Sequence, residues 1–167
     1  MLALPWLVLC TLHDLRSRTI PAWLTIPPLL GAVAWNAWHG SWAASLLALT
    51  LLFLDDLPWR LRGFLAGLQG LLLLFAWQQA GLEGVILGLT LLGIWLSWKL
   101  GAFGGADAQV LMALSLFFGP TILVPVALMN AIQGLVGMLM KRKTIPAMLS
   151  ILAGTCIFFA AQALQTS

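Results

Sequence analysis

A chain of 167 residues with 62% hydrophobic and 8% charged side chains cannot clothe a water-soluble domain, which needs roughly 25% charged residues. Its net charge of +3 arises from only eight basic and five acidic residues, and no nucleic-acid partner is expected. The apolar runs are long and lack period-2 alternation, so helices rather than a barrel must pair the backbone inside lipid. At about 20 residues per span, or about 17 at the short end, there is room for about eight spans, with six to eight compatible. The expected fold is all-α: a polytopic integral membrane helix bundle forming one membrane-embedded domain over residues 1–167.

In chain order, helices are expected near 1–13, 20–38, 41–57, 63–80, 83–99, 107–118, 120–140 and 145–164. The first run, Met1 to Leu12, has no basic residue before it, and an Asp rather than a small-residue cleavage site follows it. Both features argue against a cleaved signal peptide. The short segment from Asp14 to Ile20 then leads to Pro21, expected in the first turn of the second helix, where a missing N–H costs nothing. Three later turns contain no basic residue: His39-Gly40, Gly81-Leu82-Glu83 and Gly119-Pro120.

The basic residues fall at Arg16 and Arg18, at Arg60 and Arg62, at Lys99, and at Lys141, Arg142 and Lys143. Threading eight helices through a bilayer puts all of them on one side, which the positive-inside rule makes cytoplasmic. Both termini then lie outside. Gly63/Gly67 and Gly84/Gly88 are small-xxx-small pairs that predict close helix packing. Most of the nine Trp lie near span ends, as an interfacial aromatic belt requires. Cys10 and Cys156 are expected as buried free thiols, and no spacing of Cys or His suggests a metal site.

An acid in a membrane span is costly and calls for a reason. Glu83 begins a helix, where a carboxylate suits the dipole. Asp55 and Asp56 are sequence neighbours, about 100° apart on a helix, with Asp56 four residues before Arg60 in salt-bridge register. Local chemistry reads Asp14 as an interfacial carboxylate paired with Arg16 or Arg18. Asp107 follows Gly104, Gly105 and Ala106, small residues that permit a sharp bend and close approach; by itself it reads equally as an N-cap. On the charge-derived topology Asp14 and Asp107 share the cytoplasmic boundary on different helices. Two carboxylates brought together share a proton. One then activates water while the other donates a hydrogen bond to a scissile carbonyl.

At these residues the chain resembles the type IV prepilin peptidase family, membrane aspartic peptidases with a GxGD motif. The first motif reads Asp14-Leu-Arg-Ser-Arg-Thr-Ile-Pro21 and the second Gly104-Gly105-Ala106-Asp107. Phe117-Phe118-Gly119-Pro120 and Lys143-Thr-Ile-Pro146 are similar to the family as well. Ala22 stands where the family usually has Asn, Ala106 where it has Gly, and Gln109 where Lys is common. The resemblance implies that Asp14 and Asp107 are a catalytic pair, with Gly104, Gly105, Ala106 and Pro21 supporting the motifs. It implies cleavage of prepilin-like or pseudopilin-like precursors at the cytoplasmic face of a prokaryotic cell membrane, with neither cofactor nor metal. The partners expected are those precursors and membrane lipid. The chain lacks the family's cytoplasmic Cys-x-x-Cys segment, so no methyltransferase activity is expected. Two other readings compete: a silent relative that binds precursors or a secretion assembly, suggested by Gln109, and a small proton- or ion-coupled transporter. The transporter reading predicts midplane acids and an internal repeat, whereas the acids here sit at interfaces.

Overall fold

The structure, a computed structural model, describes residues 3–54, 58–140 and 146–165, excluding the side chains of 59, 60 and 62. Asp55, Asp56 and Lys141, Arg142 and Lys143 lie outside the described residues, and with them the expected Asp56–Arg60 pairing. Among the described residues there is no strand. The helices are α1 (Ala3–Ser17), α2 (Ala22–Trp38), α3 (Trp42–Phe53), α4 (Trp59–Lys99), α5 (Gly105–Phe118), α6 (Leu123–Leu139) and α7 (Ala147–Gln165), with a 3₁₀ turn at Pro120–Ile122. This is an all-helical bundle with the composition of a polytopic membrane protein.

The expected break between residues 80 and 83 lies within α4. Gly81 adopts φ 58° and ψ −136°, a backbone conformation open to glycine because it has no Cβ. A Cβ on Gly84 would strike the Ala76 carbonyl, and one on Gly88 would lie 2.5 Å from Leu73 Cδ2. In a straight helix residues 73 and 88 would be about 22 Å apart. The chain therefore doubles back, and α4 is an antiparallel hairpin with arms 59–80 and 82–99. Each arm approaches the ~20 residues of a membrane span. Gly84 and Gly88 thus serve the close packing expected of them. Gly63 and Gly67 do not, because a Cβ at either meets nothing within 4 Å.

The chain forms two compact units, residues 1–25 with 121–167 and residues 26–120. In the first, α7 packs against α6 and α1. A Cβ on Gly154 would collide with the Val126 backbone, and Ser150 donates a hydrogen bond to Asn130. Gln133 Nε2 donates to the Pro146 carbonyl at 2.8 Å. As one member of each pair advances, the other recedes, which makes α6 and α7 antiparallel. Thr11 Oγ1 near the end of α1 donates to the Met148 carbonyl at the start of α7, at 3.4 Å. The Asp14 end of α1 therefore lies at the same end of this unit as the start of α7.

Helix α2 carries Pro27 and Pro28 in its interior. Pro28 has no N–H to offer the carbonyl four residues earlier, so the Leu24 carbonyl is left open. The indole Nε1 of Trp6 donates to it at 2.8 Å. Pro21 lies one residue before α2, not within its first turn as expected, and its carbonyl accepts the Leu24 N–H at 2.9 Å. Cys10 is buried as expected, whereas Cys156 is exposed on the outer face of α7.

In the second unit α3 and α5 pack against the α4 hairpin. Asn36 Nδ2 donates to the Ser41 carbonyl at 3.1 Å, and the buried Ser45 hydroxyl donates to the Val33 carbonyl at 3.0 Å. These bonds tie α2 to α3 across a turn containing Gly40. Helix α5 is shorter than a span, and every residue from Val110 to Leu116 is buried. A helix apolar all round is an interior helix. The hairpin puts residues 59 and 99 at one end of this unit and Glu83 at the other; α5 starts at the first end.

Two stability predictions follow from these contacts, both read as melting temperature in detergent. Gly84→Ala is expected to destabilise by about 1–3 kcal/mol through overpacking, whereas Gly70→Ala, in open space, is expected to stabilise by a few tenths to about 1 kcal/mol through helix propensity. Equal effects would contradict the hairpin. Trp6→Phe should cost about 1–3 kcal/mol by leaving the Leu24 carbonyl unpaired; no loss would mean that this carbonyl has another partner.

Candidate active site

Asp107 is the third residue of α5, which begins at Gly105. Its Oδ2 accepts the backbone N–H of Gly104 at 3.2 Å. The carboxylate therefore satisfies one of the donors that a helix start leaves open, and it lies where the helix dipole favours negative charge. It remains half-buried, so part of it faces outward. Gly104, not Asp107, is the N-cap of α5, so the expected N-cap role is replaced by a bond that reaches back from the third helical position.

The small residues before Asp107 have separate tasks. Gly104 is extended, at φ −73° and ψ 158°, and a Cβ there would lie 3.3 Å from Asp107 Oδ2. Gly105 lies flat against the indole of Trp98, and a Cβ there would meet three ring atoms at 3.2–3.4 Å. Lys99 Nζ stands 4.1 Å from the Trp98 ring centroid and 5.8 Å from that of Trp95, within cation–π range. The end of the hairpin thus supplies an aromatic platform for the glycine loop. Ala106 is half-buried. Sequence reading placed Trp98 in the interfacial belt and missed this contact; its proximity to the glycine loop in sequence was the available signal.

Asp14 is in the last turn of α1, which continues to Ser17 rather than ending at residue 13. Its carbonyl accepts the Arg18 N–H at 2.9 Å, and Arg18 takes the left-handed φ of 54° that turns the chain away from the helix. The Ser17 hydroxyl donates to the carbonyls of His13 and Thr19 at 2.8 and 2.9 Å, bracing that turn. The Asp14 carboxylate is half-buried. Among the described residues it has no ion-pair partner, so the expected pairing with Arg16 or Arg18 is not formed there. His13 beside it stacks edge-on with Trp23 at 6.5 Å.

Gly104, Gly105, Ala106 and Asp107 therefore form one local structure in the second unit, while Asp14 and Pro21 belong to the first. Residues 1–139 match the family model described as the type IV leader peptidase family. The chain belongs to that family. No curated protein and no solved structure matches it. The match spans both aspartates and leaves α7 outside. Membership in the leader peptidase family makes the chain a peptidase of the membrane, in keeping with its apolar helices.

Asp107→Asn keeps an oxygen that can accept the Gly104 N–H and is expected to fold with an unchanged melting temperature. Asp107→Ala loses that bond and should cost about 1 kcal/mol. Equal melting of both variants and the parent would show that the carboxylate does not cap α5.

Proposed function

We propose that this protein is an aspartic endopeptidase that removes the leader of prepilin-like or pseudopilin-like precursors, with Asp14 and Asp107 as the reacting pair. The family match over residues 1–139 carries the reading, because it covers both aspartate motifs. Three further observations support it. Asp107 is anchored by the backbone N–H of Gly104. Asp14 is free of ion pairs among the described residues. In each unit taken alone, the aspartate lies at the end where the basic sequence positions gather: Arg16 and Arg18 beside Asp14, and Lys99 before Asp107.

In the proposed mechanism the two carboxylates share one proton. The ionised one takes a proton from water as the oxygen attacks the carbonyl carbon. The protonated one hydrogen-bonds to the carbonyl oxygen, where negative charge develops. Collapse of the tetrahedral species breaks the C–N bond, and the leaving nitrogen takes the proton that the first carboxylate removed from water, which returns the pair to its shared-proton state. Positive-inside topology assigns this chemistry to the cytoplasmic face of a prokaryotic cell membrane. The short basic leader of a precursor would be presented there, while its hydrophobic helix stays in lipid.

The test is cleavage of a prepilin-like precursor by the purified protein in liposomes, compared with Asp14→Asn and Asp107→Asn. Each substitution is expected to lower kcat by at least about 10²-fold, the scale of a lost general acid or base, with melting unchanged. Cleavage that survives both would reject the assigned pair, and no cleavage of any pilin-like precursor would favour a silent relative.

A further inference from the structure

The second unit has a pocket at the end opposite Asp107. It measures about 140 Å³ and is lined by Ser41, Gln79, Ala80, Glu83, Gly84 and Gly119, among others. A single water needs only about 10–15 Å³, so the pocket accepts a small polar group. Four helix ends meet around it: the starts of α3 and of the 82–99 arm, and the ends of the 59–80 arm and of α5. Positive and negative dipole ends are equal in number and largely cancel. The carboxylate of Glu83, an exposed residue, then sets the sign. Among the described residues its side chain has no partner, and no Lys or Arg occurs between residues 63 and 98.

The remaining lining is mostly apolar, with Ala44, Ala76, Leu87 and Pro120, and its few polar groups offer acceptors. Ser41 makes no side-chain cap bond, so its oxygen is open. Gln79 Oε1 accepts the Ala43 N–H at 3.2 Å and keeps a second lone pair. Gly119 caps α5, bringing the last carbonyls of that helix beside the pocket. One carboxylate among neutral oxygens is a poor site for Ca²⁺, which takes six to eight oxygen ligands. It suits a group with one positive charge and several N–H donors. No aromatic side chain lines the pocket, so it lacks the cage by which quaternary ammonium groups are held.

We propose that this pocket binds a primary ammonium group, carried by an ethanolamine-type lipid headgroup. The lipid source follows from position. Trp35, Trp38, Trp42 and Trp77 are exposed at this end of the unit, as side chains at the headgroup level are. The site is at the far end of the unit from Asp107 and is independent of the proposed peptidase chemistry.

The purified protein in detergent would be titrated with phosphatidylethanolamine, with phosphatidylcholine of the same acyl chains, and with free ethanolammonium. Retention is read by native mass spectrometry. Phosphatidylethanolamine is expected to be retained over phosphatidylcholine by about tenfold, the value of one charge-assisted hydrogen bond. Glu83→Gln should abolish the preference, as should Ala80→Leu, which fills the pocket from an exposed position. Equal retention of the two lipids, or a preference that survives Glu83→Gln, overturns the proposal. Free ethanolammonium binding as tightly as the lipid overturns the lipid source.

Discussion

Hydrocarbon offers a peptide group no hydrogen-bond partner, and each one left unpaired costs several kcal/mol. The architecture follows from this. Every described element is a helix, and side-chain donors reach backbone carbonyls at a proline break and at helix starts. The carbonyl released by Pro28 meets the Trp6 indole. The carbonyl of Pro146, just before α7, meets the Gln133 amide. The Ser41 carbonyl at the α2–α3 turn meets Asn36.

With the backbone satisfied, association depends on how closely helices approach, since lipid tails are as apolar as the side chains they would replace. Gly84 and Gly88 close the α4 hairpin and Gly154 seats α7 on α6. Close packing also explains α5. At 14 residues it is about 21 Å long, too short for a hydrocarbon core of about 30 Å. Its buried run from Val110 to Leu116 is covered by protein, so it need not match the bilayer. Asp107 stands at the start of this short helix, half-buried.

The two aspartates have different local supports. Asp107 is held by its own loop, with Gly104 donating to it and Gly105 laid against Trp98, whose ring carries Lys99. Asp14 is placed by the last turn of α1 and by the left-handed Arg18 that ends it. Asp14 is thus fixed by the course of one helix, whereas Asp107 depends on a contact with another. The loop that holds Asp107 therefore depends on the Gly105–Trp98 contact.

The helical character of the apolar runs, the reversal near Gly81 and the family resemblance were legible in the sequence. Apolar run length, glycine in a turn and the rarity of charge in lipid each act locally, and local rules can be read from a string of residues. Helix ends were less legible: α1 runs past Asp14, and α2 starts after Pro21, because the final turns are decided by hydrogen bonds such as those of Ser17. Which glycines serve as contacts was not legible either. Gly63/Gly67 and Gly84/Gly88 have the same spacing, and only the hairpin brings a partner to the second pair. The same holds for Trp98, one aromatic among nine until Gly105 packs against it, and for Glu83, a plain helix-start acid until four helix ends enclose a pocket beside it. The sequence by itself determined that the chain must be helical, where it turns and which acids stand out, because those follow from the cost of polar groups in lipid. Tertiary structure alone decided which residues touch, because contact depends on where a second helix lies, and spacing along one helix carries no record of that.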